Sequence, residues 1–427
     1  MSACDFTSLG AVLGLAVAVI LIFKRAHPAY SLILGALAGG LLGGDGLTCT
    51  VSTMVHGAQD MMPTVLRILT SGILAGALIQ SGAAQKIAQT IVEKLGERMA
   101  VGAIALAMMI ICAAGVFIDI SVITVAPIAL AIGRKANLST ESLLLAMIGG
   151  GKAGNIISPN PNTIATAEAF HVDLTSLMMK NFIPALFALG MTILLASLLA
   201  RKAKPQGNDP QSSQAVNPSP EEKQSAPGLF PALLGPLVVI TLLALRPLAG
   251  ITIDPLIALP VGGLVCIAAT GNIRKTFSFT EFGLSKVAGV SILLISTGTI
   301  AGVIKASSLQ HELITLLNIL HMPAFVLAPL TGILMAAATA STTAGATIAS
   351  QTFAPILTEA GIPALGAGAM IHAGATVLDS LPHGSFFHAT GGSVFLGIRQ
   401  RMRLIPYEIG IGLTSTILAT ILYLVGK

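Results

Sequence analysis

Apolar stretches long enough to cross a bilayer recur from residue 10 to residue 425, and no other feature restricts the fold of this chain so strongly. Hydrocarbon roughly 30 Å thick offers no water to a bare amide or carbonyl, so each such stretch has to satisfy its own backbone as a helix. Of the 427 residues, 54% are hydrophobic and only 10% are charged, outside the range of soluble globular domains. Forty-five glycines suit helices whose backbones approach closely. The chain is expected to be an all-α integral membrane protein of many packed helices.

The first apolar run, residues 11–23, follows Asp5 and precedes Lys24 and Arg25. A secretory signal carries its positive charge first, so this run reads as a retained span with its N-terminus outside. Cys4, Cys49, Cys112 and Cys266 have no motif spacing. They are expected to be packing residues, in neither a disulfide framework nor a zinc site. The formal charge of +5 is no argument for nucleic acid, because the basic residues gather at the ends of apolar segments, where orientation in the membrane requires them.

Residues 201–228, rich in Pro, Gln, Ser, Asn, Lys and Glu, read as a flexible cytoplasmic linker between an N-terminal half, 1–200, and a C-terminal half, 229–427. The halves repeat. Ser71-Gly72, Ala75-Gly76 and Ser81 are answered by Thr297-Gly298, Ala301-Gly302 and Ser307 at a constant offset of 226. With small drift, Ala126-Pro127-Ile128 answers to Ala354-Pro355-Ile356, and Met147, Gly151 and Pro159 answer to Met370, Gly374 and Pro382.

Placing the Lys/Arg clusters near residues 24, 94, 134, 201, 274 and 399 on the cytoplasmic side fixes a topology. Spans fall near 10–23, 28–44, 64–82, 141–170 and 180–200, then near 229–249, 254–271, 286–305, 363–398 and 405–425. Residues 100–132 form a re-entrant hairpin from the inside, and 323–357 one from the outside. That makes about ten spanning helices plus two hairpins. The equivalent spans 64–82 and 286–305 run oppositely, so the repeats are inverted, an architecture tied to alternating access rather than to a channel.

Polar residues inside the membrane cost free energy and mark function. Asp119 and Ser121 lie in one hairpin, and Thr339, Ser341, Thr342, Thr343 and Thr347 in the other. Two spans are interrupted by Pro and Gly, at GGGKAGNIISPNPNT (149–163) and HAGATVLDSLPHGS (372–385). Pro159, Pro161 and Pro382 break the helical ladder and expose half-helix ends at mid-membrane. Half-helix N-termini favour an anion, whereas carbonyl and hydroxyl oxygens favour a cation, a combination suited to a carboxylate with a coupling ion.

Asn155, Ser158, Asn160, Asn162 and Thr163 are therefore candidate substrate ligands from the first repeat. Ser341, Thr342, Thr343, Ser380, His383 and Ser385 are candidates from the second. A single Ser or Thr among them has the alternative of bonding back to its own helix. Asp119 and Asp379 are the intramembrane carboxylates and the proton-coupling candidates, Asp119 with the competing role of anchoring its hairpin tip. Lys152 is placed to pair with a substrate carboxylate, with Asp119 or with Asp379, or to be a structural snorkelling lysine. His372, His383 and His388 fit no metal spacing. No nucleophile motif or cofactor signature accompanies them, so neither an enzyme nor a cofactor is expected.

At SGILAG (71–76), at the Asp119 hairpin with APIAL (126–130) and at SPNPNT (158–163), the sequence resembles the gluconate permease family of bacterial proton symporters, within the ion-transporter superfamily of inverted-repeat carriers. The likeness spans almost the whole chain. It implies a multi-pass protein of the bacterial inner membrane, a homodimer with a scaffold and an elevator-like transport domain. It also implies a small organic anion as cargo, gluconate or a related hydroxy acid such as glycerate, with a coupling proton. Ser158, Asn162, Thr163 and 341–343 are also loosely similar to the loops of sodium-coupled di- and tricarboxylate symporters. Gluconate carriers place a His between the two prolines where this chain has Asn160. A cation/proton antiporter of the same superfamily, using Asp119 and Asp379 as ion sites, is the rival expectation.

Overall fold

The computed structural model describes residues 4, 6–44, 46–202, 227–309, 311–312, 315, 319 and 323–426. The first half contributes helices α1 (Ser8–Phe23), α2 (Pro28–Leu42), α3 (Gly46–Asp60), α4 (Met62–Gln80), α5 (Ala83–Leu95), α6 (Ala100–Ala113), α7 (Ile118–Lys135), α8 (Thr140–Asn155), α9 (Pro161–Ala169), α10 (Leu174–Lys180) and α11 (Phe182–Lys202). The second contributes α12 (Leu229–Ala249), α13 (Pro255–Ala269), α14 (Thr276–Lys305), α15 (Leu327–Thr339), α16 (Thr342–Glu359), α17 (Ala364–Gly374), α18 (Ser385–Ser393), α19 (Ile398–Met402) and α20 (Ile405–Val425).

Local chemistry sets these boundaries. Thr7 opens α1 by accepting from the Gly10 amide at 3.2 Å, and Asp254 opens α13 by accepting from Leu256 N at 2.8 Å, with Pro255 in the first turn. Gly82 and Gly250 take left-handed conformations that separate α4 from α5 and end α12.

Five helices among the described residues are long and apolar enough to cross a bilayer unaided. The segments expected as spans at 10–23, 28–44 and 254–271 are single shorter apolar helices, α1, α2 and α13, and two more are divided. α8 and α9 are the two parts of the 141–170 segment, and α17 and α18 the two parts of 363–398. The pairs α6–α7 and α15–α16 occupy the two expected hairpins, turning at Gly115 and Ala340. Four helices, α3, α5 and the short α10 and α19, lie outside the expected spans, and the chain turns by 106° where α5 meets the segment containing α6. The linker assigned to 201–228 lies outside the described residues except at its two ends.

Glycine governs the central packing. Gly57 on α3 seats against Gly298 and Gly302 of α14, and further along α14, Gly283 seats against Gly72 and Gly76 of α4. Backbone lies on backbone at both crossings, with no room for a Cβ. The contacts run in opposite order along the two partners, so α3–α4 and α14 are antiparallel. The two crossings correspond to each other at the offset of 226, Gly57 answering to Gly283, and Gly72 and Gly76 to Gly298 and Gly302. Reciprocally, α13 packs on α4 and α2 on α14. On the other side, each hairpin packs against its own broken helix, α6 and α7 against α8, α15 and α16 against α17, with α11 and α20 alongside.

The cysteine expectation needs one correction. Cys4 and Cys49 are joined in a disulfide, their Cα atoms 6.0 Å apart. The start of α3 returns alongside the N-terminal segment, a proximity that a separation of 45 residues does not signal. Cys112 and Cys266 are free and buried. The same N-terminal segment reaches the second half, where Phe6 N donates to Ala306 O at 3.0 Å and Ser308 N to Phe6 O at 3.2 Å.

Candidate functional site

The two broken helices are built differently. In the first, Asn160 links the end of α8 to the start of α9. Its Oδ1 accepts from Asn162 N at 3.0 Å, Thr163 N at 3.1 Å and Thr163 Oγ1 at 3.2 Å. Its Nδ2 donates to Asn155 O at 3.0 Å and Asn155 Oδ1 at 2.6 Å. The second break, residues 375–384, ends at Gly384, which brings no side-chain cap to α18, so the first amides of that helix keep their hydrogen-bonding capacity. Ser341 caps α16 by accepting from Ala344 N at 3.2 Å, and Phe117 leaves α7 without a side-chain cap.

Four helix starts meet at one cavity of about 220 Å³. α7 brings Ile118, Asp119 and Ile120, α9 brings Asn162, α16 brings Thr342 and Thr343, and α18 brings Ser385 and Phe386. Asn155, Ser341, Asp379 and Lys286 complete its polar lining. Each helix start carries about half a positive charge. Asp119, in the first turn of α7, offsets one of them.

Beside the cavity lies a buried ion pair. Lys152 Nζ is 2.6 Å from Asp379 Oδ1, with both side chains at most 2% exposed, and it also donates to Thr376 O at 2.7 Å. Thr342 Oγ1 donates to Asp379 Oδ2 at 2.5 Å and Ser380 Oγ to Oδ1 at 2.9 Å, so both oxygens of this carboxylate have side-chain partners. Lys152 comes from the first half and Asp379 from the second, so the pair ties the two broken helices together. Asp119, by contrast, has backbone amides of its own first turn and the field of Lys286 around it, and no side-chain partner.

The structure thus brings Asn155, Asn162, Ser341, Thr342, Thr343, Ser385, Asp119 and Asp379 to one cavity. Asn160 and Thr163 serve the helix break, and Ser380 and Lys152 serve Asp379. Ser158 is buried, and its hydroxyl has no hydrogen-bond partner. His383 lines a separate cavity of about 380 Å³ with His388, Arg25 and His27, its Nε2 3.2 Å from Ala338 O. A third cavity, about 520 Å³, lies between α3, α4 and α14 on one side and α9 and α16 on the other. Arg67 stands in it, 2.7 Å from Glu168 and 2.7 Å from Asp254. Sequence reasoning missed Lys286. Its signal was present: an ammonium in an apolar helix of 30 residues.

Comparison with known proteins matches residues 6–390 to the model of the GntP family permeases. The chain belongs to the GntP permease family. This is a family of permeases, not enzymes, and with the five long apolar helices it makes the chain a multi-pass membrane protein. The permease is 52% identical over 421 residues to an uncharacterized transporter of Haemophilus influenzae, covering 99% of each chain. It is 23% identical over 355 residues, 78% of each, to the D-serine transporter DsdX of Escherichia coli. The high-affinity gluconate transporter of Escherichia coli is 24% identical over 249 residues, 57% of the permease and 54% of that relative. In fold, the permease is similar to the crystal structure of the Alcanivorax borkumensis YdaH transporter, with a TM-score of 0.69 over 98% of both chains at 18% identity.

Proposed function

We propose that the permease is a secondary active transporter that carries gluconate, or a smaller hydroxy acid such as glycerate, with a proton across the bacterial inner membrane. The observation that carries this reading is the cavity where four helix starts meet, lined by hydroxyls and amides together with Lys286. Lys152 already neutralises Asp379, and the charges of Asp119 and Lys286 cancel, leaving the helix starts as a net positive field of about two charges. A carboxylate complements that field. The hydroxyls of Ser341, Thr342, Thr343 and Ser385 match the hydroxyls of a sugar acid.

Asp119 is the group assigned to the coupling proton, because it faces the cavity without a side-chain partner. Asp379 is assigned to holding the broken helices, because three side chains already occupy its oxygens. The inverted-repeat reading is supported by the antiparallel crossing of α3–α4 with α14, since a two-fold axis in the membrane plane reverses equivalent helices and an axis along the membrane normal does not. An elevator-like stroke and a homodimer enter the proposal from the resemblance to the superfamily.

Uptake of radiolabelled D-gluconate and D-glycerate into proteoliposomes tests the proposal. Accumulation should follow an imposed pH gradient, acidic outside, and should not require sodium. If no organic acid enters while sodium drives protons out, the permease is an antiporter and the proposal fails. D-Serine belongs in the same assay, because the relative named for it aligns over more of the permease than the gluconate transporter does.

A further inference from the structure

Lys286 is the one polar residue of the cavity lining that comes from α14. The others sit on the hairpins and broken helices, whereas α14 belongs to the glycine-packed group with α2, α3 and α4. Ten residues of helix, about 15 Å, separate Lys286 from the start of α14, and it stands at the head of the expected 286–305 span, where an unpaired charge still costs free energy. Something must repay that cost.

Packing does not. Lys286 stands three residues after Gly283, and Asp60 stands at the equivalent position, three residues after Gly57. The two glycines make the same kind of crossing, so the fold accepts either sign of charge at this place. No salt bridge reaches the Lys286 ammonium among the described residues, and its recorded contact is the Phe282 ring, 4.9 Å from the ring centre. Asp119 acts on it as a field rather than as a bonded partner. Facing the ammonium across about 220 Å³ are the uncapped start of α18 and the hydroxyls of Thr342 and Thr343. An anion held by those groups lies against Lys286.

We propose that Lys286 is a cargo-binding residue that contacts the carboxylate from outside the hairpin and broken-helix group and selects net-anionic hydroxy acids over zwitterionic amino acids of the same size. The proposal rests on the reading of this cavity as the cargo site. A hydroxy acid brings one negative charge to the ammonium. The corresponding α-amino acid brings a second ammonium, and its repulsion from Lys286 cancels the gain.

D-Glycerate and D-serine differ only in the hydroxyl or ammonium on C2, so they form a matched pair of probes. Their binding is measured by titration calorimetry on the purified full chain, for wild type, Lys286→Met and Lys286→Arg. The expected result is tenfold or greater loss of D-glycerate affinity in Lys286→Met and less than threefold loss in Lys286→Arg. D-Serine affinity should change less than threefold in both. Lys286 is exposed to the cavity rather than built into the core, so the variants should melt with wild type. If Lys286→Met leaves D-glycerate affinity within twofold, or weakens both ligands equally, Lys286 does not select cargo. Wild type that binds D-serine but not D-glycerate also overturns the selectivity, while leaving the cavity as the cargo site. Wild type that binds neither removes the cargo reading itself, and the proposal with it.

Discussion

Breaking the Lys152–Asp379 pair from one side should be far more damaging than removing it from both. The two charged atoms are 2.6 Å apart and their side chains are at most 2% exposed. At an effective dielectric of about 20, the attraction over that distance is about 6 kcal/mol, much of it offset by the cost of dehydrating the two ions. Lys152→Met leaves the Asp379 carboxylate buried with only Thr342 and Ser380 to serve it. Asp379→Leu leaves the ammonium with only the Thr376 carbonyl. Each should lower stability by about 3–5 kcal/mol, the usual penalty for a stranded buried charge. The double variant strands no ion, so its loss should fall well below the sum of the singles, with a coupling energy of about 2–4 kcal/mol. Equilibrium unfolding in mixed detergent micelles, followed through the four variants of the cycle, measures that coupling. Strictly additive losses, or single losses below about 1 kcal/mol, would refute the pair as the tie between the broken helices.

Asp119→Asn should abolish accumulation driven by a pH gradient while preserving exchange of labelled for unlabelled cargo; loss of exchange as well would make Asp119 a cargo or structural residue. Gly283→Val should prevent recovery of monodisperse protein, because a side chain there meets the Gly72 backbone, whereas Gly289→Ala, with open space around it, should behave as wild type in size-exclusion profiles. Maleimide labelling of the protein denatured without reductant should modify two thiols, Cys112 and Cys266, and prior reduction should raise the number to four; four reactive thiols without reduction would show that Cys4 and Cys49 are not bonded.

The elements most legible in the sequence were those whose chemistry is local. Pro161 after Asn160 marks a helix start, Pro382 marks a break, and Gly72, Gly76, Gly298 and Gly302 of the recurring Gly spacing lie where helices touch. Site residues were harder to rank, because a polar side chain within a broken helix serves either the cargo or the break. Asn160 bridges the end of one half-helix and the start of the next so well that its amide is taken up by the break, and Ser380 is consumed by the carboxylate beside it. Lys286 carries no Pro or Gly break to mark it, since it sits in an unbroken helix on the other side of the cavity. The Cys4–Cys49 bond and helix α3 escaped together, since only the path of the folded chain brings that return segment beside the N-terminus. α5 was passed over because a half-apolar helix of 13 residues is too short to register as a span.

The double glycine crossing also limits how the molecule can deform. With carbonyl pressed on Cα at Gly57–Gly298 and again at Gly283–Gly72, neither helix can slide or roll on the other without lifting off by a full methyl width. That part of the protein is a fixed spine. In the proposed transport cycle, displacement is expected on surfaces where longer side chains meet, such as those lining the cavities at Lys286 on one flank and Arg67 on the other.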